Sequence, residues 1–507
     1  MNRALVGAVA VALFAWDVWL ERRGPTDRQR RLRSRLFAAM GAIAFAAWWN
    51  FGLFHLDHWT HLWDVFHYEV GAKYSPELGY TRLYTCAAVA EVELGHGAEV
   101  GRRSIRDLET NRVLPGSALT ATNSAGCRAR FTRARWEEFV HDVGWYRDRI
   151  TPERWNGLFQ DHGFNPTPAW GILGRLFASY GPSSEGKLLL LTLLDPLLTG
   201  LLWVVSIRTF GMGAASVGLV WWGLNSVAEF GWIGGSFLRT DWLCLCVLGV
   251  ALLKAERPFA AGVILTCASL LRIFPAFFAF GIVLKAAAEI AASRRIRLSR
   301  EHVRFAGGCL AALAVIVPLS GLVASGGRSV FGPWPAFVSN SQKHVATPSM
   351  NNMGLRTVLS WTPEAPLVLG ATDDPVTVWW ARHEEAFTGR RPLFVAVVLA
   401  AGLLAARGAR REENWVAACL GALLIPFVTV LSCYYYGFLL VLGFLWLRKR
   451  TLGVAVALLA TLSSVAALAA RWPYDNYVLQ SLAVLIVAGG TLVSFAAGSP
   501  APRPRGG

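Results

Sequence analysis

The chain is organised by apolar runs of membrane-spanning length, about thirteen of them when a span is taken as ~20 mainly apolar residues. They fall at Met1–Leu20, Leu36–Leu56, Leu188–Ile207, Gly213–Val227, Phe237–Leu253, Phe259–Leu271, Pro275–Ile290, Phe305–Ala324, Leu393–Ala406, Trp415–Leu431, Gly437–Leu447, Leu452–Ala470 and Val478–Ala497. Buried so often, such a chain cannot be divided into soluble domains, and 54% hydrophobic against 16% charged residues agrees with a polytopic membrane protein. The expected fold class is therefore all-α, with two polar excursions between spans.

The net charge of +16 admits two explanations, nucleic-acid binding or cytoplasmic connections, and the placement of the cations decides between them. Alternate short connections collect them. One side receives Arg22, Arg23, Arg28, Arg30, Arg31, Arg33 and Arg35, then Arg208, Lys254 and Arg257, the cluster Arg294 to Arg304, Arg407 to Arg411, Arg448 to Arg450, and Arg503 with Arg505. The opposite short connections hold Arg239, Arg272 and Arg471. The positive-inside rule then puts the N-terminus outside, the C-terminus in the cytoplasm and both polar excursions on the outer face, and no nucleic-acid partner is expected. A cleaved leader is rejected because the arginines from Arg22 onward follow the first apolar run at once.

This reading divides the chain into two N-terminal helices with a basic loop (1–56), a long outer loop (57–186), a helical block (187–324), a second outer loop (325–391), a C-terminal helical block (392–498) and a Pro/Arg/Gly tail (499–507) expected to be disordered in the cytoplasm. Neither a repeat nor an inverted pair of helix groups appears, as many secondary transporters carry. Cys86 and Cys127 both lie in the first outer loop, where an oxidising compartment permits a disulfide; the other cysteines lie in or beside apolar runs as small buried side chains.

Chemistry concentrates in the stretch HLWDVFHYEVGAKY, His61 to Tyr74. Read as a helix at the membrane surface, it places Asp64, Tyr68 and Gly71 on one face with His67 beside them. A carboxylate at the hydrocarbon boundary is partly desolvated, which strengthens it as a base. The competing reading is an ordinary interfacial helix, aromatic because Trp and Tyr favour the headgroup level. Asp57 and Glu69 are rivals for the role of base. His55, His58, His61 and His67 invite a metal, but no ligand set follows from them, and neither a metal nor a cofactor is expected. Arg239 and Asp241 are expected to pair with each other. A helix is expected in TPERWNGLF.

An early Asp-x-x-x-Tyr pattern after an apolar span, followed in order by FNPTPAW, AGVILTCASLLRIFP, MNNMGLRTVL and CYYYGFLLVL, resembles the GT-C membrane glycosyltransferases, in particular glycosyltransferase family 87, which includes polyprenyl-phosphate-mannose-dependent mannosyltransferases. The resemblance is discontinuous over residues 36 to 450, and the first outer loop is longer than the family pattern. It implies Asp64 as the base that deprotonates an acceptor hydroxyl and Arg272, at the position of the family's Lys, on the donor phosphate. An Arg at membrane depth is costly without a partner, and its planar fork suits phosphate oxygens. Lys343, His344, Arg356, Asn351 and Asn352 are candidates for the donor phosphate or sugar hydroxyls, and His67 and Tyr68 for the acceptor side. The implied reaction transfers a sugar, mannose first, from a polyprenyl phosphate to a lipid or glycan at the outer face of a bacterial inner membrane. The other readings are a lipid or polysaccharide transporter, which would spread polar residues along its spans, and a non-catalytic envelope subunit that docks through its long loop.

Overall fold

The computed structural model describes residues 3–56, 58–296, 298–363 and 375–498; the tail from 499 and Asp57 lie outside them. It is an all-α polytopic membrane protein. Helices long and apolar enough to cross a bilayer are Arg3–Arg23, Glu185–Leu224, Ala276–Ser293, Arg300–Ser325, Val376–Ala409, Thr451–Ala469 and Pro473–Ala497. Several show lipid-facing surfaces: Leu310, Val315 and Leu319 project from one of them, and Leu399 and Leu403 from another, all exposed. Exposed rows of Leu and Val on a long helix are stable when the solvent is hydrocarbon.

Of the thirteen expected runs, eight fall in these seven helices among the described residues, and several of the others are short helices enclosed by other helices. Phe237–Leu253 is irregular as far as Thr240 and then forms Asp241–Lys254, while Pro258–Leu271 and Asn414–Ala422 are 14 and 9 residues long. Every residue of Asn414–Ala422 after the first is buried. Hydropathy registers a residue's escape from water, and cannot tell a lipid-facing helix from one walled in by protein. The expected separate runs at Leu188 and Gly213 lie in the continuous stretch Glu185–Leu224, interrupted where Gly211 takes φ 82°. Helices Pro258–Leu271 and Arg300–Ser325 cross at small residues: a Cβ on Gly262 would lie 2.2 Å from the Phe305 carbonyl oxygen, and one on Gly308 2.0 Å from that of Phe259.

Residues 58–186 are no open loop but a folded polar domain. Helices Leu83–Glu91, Gly116–Arg128, Arg133–Arg147 and Pro152–Leu158 surround Phe66, Tyr84, Phe139, Tyr146 and Trp155, and a short hairpin pairs Ser104–Arg106 with Val113–Pro115. The helix expected in TPERWNGLF is Pro152–Leu158. Cys86 and Cys127 form a disulfide across 41 residues, joining helix Leu83–Glu91 to helix Gly116–Arg128. Several of the domain's charges are buried in pairs: Lys73 Nζ lies 2.6 Å from Asp142 and 2.8 Å from Glu138, and Glu91 accepts from Arg103, Arg147 and Trp155.

The described residues of the second polar segment, 325–363 and 375–391, form regular elements as well. They contain helix Pro333–Ala346, the antiparallel pair Asn352–Met353 with Leu431–Ser432, and helix Leu355–Leu359; the helix Pro375–Ala409 then runs without a break through the expected boundary at residue 392. The two polar segments meet where Asn111 donates to Thr347 Oγ1 (2.7 Å) and Asn340 to Asn165 Oδ1 (2.9 Å). Together they roof the ends of the apolar helices and enclose a cavity.

Candidate active site

The cavity has a volume of about 870 Å³ and is bounded by both polar segments and by the loops that precede or follow the apolar helices at Arg239, Arg272 and Tyr434. Its geometry begins with His61. The His61 Nδ1 accepts from the Asp64 amide at 3.1 Å and so caps helix Leu62–Val65, while its own amide donates to the Gly235 carbonyl at 2.8 Å. Gly235 has φ +65°, and a Cβ there would lie 1.8 Å from the Trp59 carbonyl oxygen, so only glycine lets the two loops approach this closely. The apposition brings Ser236 Oγ onto Asp64 Oδ2 and Arg239 Nε to 3.4 Å from the same oxygen. Among the described residues Oδ1 of Asp64 has no hydrogen-bond partner.

Arg239 is fixed from behind by a carboxylate within an apolar helix. Asp195 accepts the amides of Arg239 (2.9 Å) and Thr240 (3.0 Å) and the Thr240 hydroxyl (2.8 Å). A buried acid satisfied by backbone donors costs far less than an unpaired one, and it sets the course of the loop. The Arg239 guanidinium then lies 4.2 Å from the centre of the Tyr68 ring and 5.1 Å from that of Tyr434.

Arg272 follows helix Pro258–Leu271, whose last carbonyls are tied to the polar domain by the Thr167 hydroxyl (2.6 Å to Leu270). Its guanidinium lies 5.9 Å from the Tyr68 ring centre, so Tyr68 neighbours both arginines. Arg272 Nη1 donates to the Leu271 carbonyl at 2.9 Å and the guanidinium interacts with Tyr435 and Asp241, while Nε and Nη2 are buried without a hydrogen bond of good geometry. Buried charged donors left unsatisfied in a side chain only 6% exposed are expensive, and an anion in the cavity would satisfy them.

Another part of the wall carries neutral imidazoles and amides beside the Asp161 carboxylate. Below Asp64 the backbone makes a π-turn over Phe66–Val70, a distortion often found at functional sites, and His67 emerges from it to meet the Tyr84 hydroxyl at 2.6 Å. Trp63 Nε1 donates to Asp161 at 2.8 Å, His344 Nε2 meets Asn165 Oδ1 at 2.8 Å, and the His162 and His344 rings lie 5.1 Å apart. His162 Nδ1 is buried without a partner. Burial pushes the His162 imidazole down to about 4 and that of His344 down to about 3, so both are neutral donor-and-acceptor groups at pH 7. Such a surface suits hydroxyls rather than a phosphate.

Of the residues singled out in the sequence, Asp64, His67, Tyr68, Arg272, His344, Asn351 and Asn352 line the cavity. Three others lead elsewhere. Lys343 donates to the Leu108 carbonyl, holding the two polar segments together. Arg356 pairs with Glu384 and stacks 4.5 Å from the Phe387 ring centre. Glu69 is buried in the polar domain, 2.5 Å from Lys187 and 2.9 Å from the Tyr146 hydroxyl; two residues on from His67, it faces away from the cavity. Burial raises the Glu69 carboxyl above its ordinary range. The expected Arg239–Asp241 pair is replaced by Arg239–Asp64. Cys86 and Cys127 are not in the wall.

No family model matches the chain, and no curated protein or solved structure matches it. The site therefore has to be read from its own chemistry. Sequence reasoning missed Arg239 as a site residue, together with Ser236, Asp161, His162 and Asn165. Asn165 lies within FNPTPAW, and Tyr434 and Tyr435 within CYYYGFLLVL, stretches already conspicuous for polar side chains beside apolar runs. Among the described residues no group of three or more His, Cys, Asp or Glu is arranged to hold a metal ion; His55, His58 and His61 pack ring against ring instead.

Proposed function

We propose that this chain is a membrane glycosyltransferase of the GT-C type, moving a sugar from a polyprenyl-phosphate donor to a hydroxyl of a lipid or glycan acceptor. The observation that carries the reading is a carboxylate, Asp64, paired with one buried guanidinium and facing the same cavity as a second, Arg272; the other carboxylate of the wall, Asp161, accepts from Trp63 and lies beside the imidazoles. In this reading the acceptor oxygen attacks the anomeric carbon and its proton passes to Asp64 Oδ1, while the bond from that carbon to the phosphate oxygen breaks with inversion. The departing phosphate carries its charge to Arg272 and Arg239, held before the reaction where that charge develops. A second carboxylate is not required, because the leaving group is already acidic and water is not the nucleophile.

The neutral group of His162, Asn165 and His344 takes sugar hydroxyls, with Asn351 and Asn352 beside it. Further parts of the reading are the outer-face location of the polar domain, the N-terminus outside and C-terminus inside, and a bacterial inner membrane; they rest on the alternation of arginines and on the disulfide, which forms in oxidising compartments. Mannose is the first sugar to try. The test is a panel of radiolabelled polyprenyl-phosphate sugars offered to membranes with and without the expressed chain. Chain-dependent transfer of label from one donor to a lipid or glycan is expected, and no transfer from any donor would refute the reading.

A further inference from the structure

Arg239 is unusual in belonging to both halves of the site. Its Nε lies 3.4 Å from Asp64 Oδ2, and its guanidinium plane packs near the Tyr68 and Tyr434 rings on the same cavity wall as Arg272. Its side chain is only 4% exposed, and its backbone is fixed by Asp195, so movement is confined to the side chain. Arg272 has two unsatisfied donors and lies beside the same tyrosine. An anion bound by Arg272 near Tyr68 would therefore face Arg239 as well, and Asp64 and that anion would compete for one guanidinium.

We propose that Arg239 is a partner shared between Asp64 and the donor's phosphate: as the phosphate binds beside Arg272, Arg239 turns from the carboxylate to the phosphate and leaves Asp64 free to take the acceptor proton. The inference rests on the glycosyltransferase reading for the identity of the anion and on the geometry alone for the exchange of partners. It makes Arg239 a positioning residue that ties availability of the base to arrival of the donor. Ser236 keeps Asp64 in place through the exchange, because its hydroxyl bonds the carboxylate independently of Arg239. The chemical step itself is unchanged: the acceptor's proton goes to Asp64 and the electron pair of the breaking bond stays with the phosphate.

Competition for Arg239 has a signature that a static ion pair lacks, and it is read by binding without turnover. Farnesyl phosphate, with farnesol as the uncharged control, is titrated into the full chain in nanodiscs, with intrinsic tryptophan fluorescence as the readout; Trp63 and Trp232 line the cavity. Asp64→Asn removes the competitor and is expected to tighten farnesyl phosphate binding about tenfold, within the range of couplings between contacting residues. Arg239→Gln is expected to weaken it. In the Arg239→Gln background the gain from Asp64→Asn should vanish, since the guanidinium to be released is gone.

If the Asp64→Asn gain survives undiminished in that background, the carboxylate acts only as a distant repelling charge and the exchange is overturned. No change or a loss in Asp64→Asn alone overturns it too. Should Arg239→Gln fail to fold, Arg239→Lys supplies the same background with the charge kept and the fork removed; the gain should then shrink, and an undiminished gain again refutes the exchange. Farnesyl phosphate binding with this pattern but no sugar transfer would support the exchange while removing the glycosyltransferase reading. Equal binding of farnesol and farnesyl phosphate to the unmodified chain would remove the anion site and the exchange together.

Discussion

Replacing both bridged cysteines, Cys86→Ala with Cys127→Ala, removes a covalent closure of 41 residues inside the polar domain. In the chain-entropy description a loop of that length restricts the unfolded state by about 4 kcal/mol. For a unit of about 130 residues, an unfolding entropy of ~0.27 kcal/mol/K converts this into a fall of ~15 °C in Tm. The loss reaches the cavity, because the helix that carries Cys86 also carries Tyr84, which bonds His67, and Glu91, which gathers Arg103, Arg147 and Trp155. Thermal unfolding followed by tryptophan fluorescence reports on this domain through Trp136, Trp145 and Trp155, and maleimide labelling without reductant reports whether the bridge exists. The expected result is two unreactive cysteines in the unmodified protein and a large drop in Tm in the variant. A drop under about 3 °C, or free thiols at both positions, would refute the covalent closure and the oxidising compartment inferred from it.

Other consequences are equally open to measurement. Lys187→Met leaves the Glu69 carboxylate buried without its cation and should destabilise the protein by about 3–5 kcal/mol, seen as loss of folded protein in membranes. Arg272→Ala should lower sugar transfer by about 10² to 10³ by removing a charged donor from the leaving phosphate, whereas Arg356→Ala, which touches Glu384 and Phe387 outside the main cavity, should stay within about twofold of the parent in a transfer assay. His162 and His344 are held below their ordinary range, so the unfolded chain binds more protons than the folded one below pH about 6.5; stability should fall as pH drops from there toward 4. Urea unfolding across that range checks the sign, and His344→Asn should flatten the slope.

How much of this was legible in the sequence follows from which physical signal each feature leaves. Long helices with exposed Leu and Val, such as Arg300–Ser325, announce themselves by hydropathy; Asn414–Ala422 and Asp241–Lys254 give a similar signal for a different reason, enclosure by protein. Of the residues that helical spacing placed together, Asp64, His67 and Tyr68 line the cavity, whereas Gly71, beyond the π-turn, packs against Phe164. The partners of Arg239 were not legible in this way. Asp241 is close in sequence, but the contact is made with Asp64, 175 residues away, through a loop apposition that depends on Gly235. Glu69 stayed a rival to Asp64 as base because sequence distance says nothing about which side of a helix reaches a cavity and which meets Lys187. The order of the polar domain was hidden as well: its charges pair internally, and a run of arginines with scattered acids reads as a solvated loop until the pairs are seen.

The central claim is that Asp64 takes the acceptor proton in a transfer from a polyprenyl-phosphate sugar. It is tested most directly by comparing transfer of radiolabel in membranes holding equal amounts of the unmodified chain and of Asp64→Asn, a variant that keeps the side chain's shape and removes its basicity. The account predicts label in product with the unmodified chain and a loss of at least about 10² in the variant, a size expected of a general base. Equal transfer by the two would contradict it.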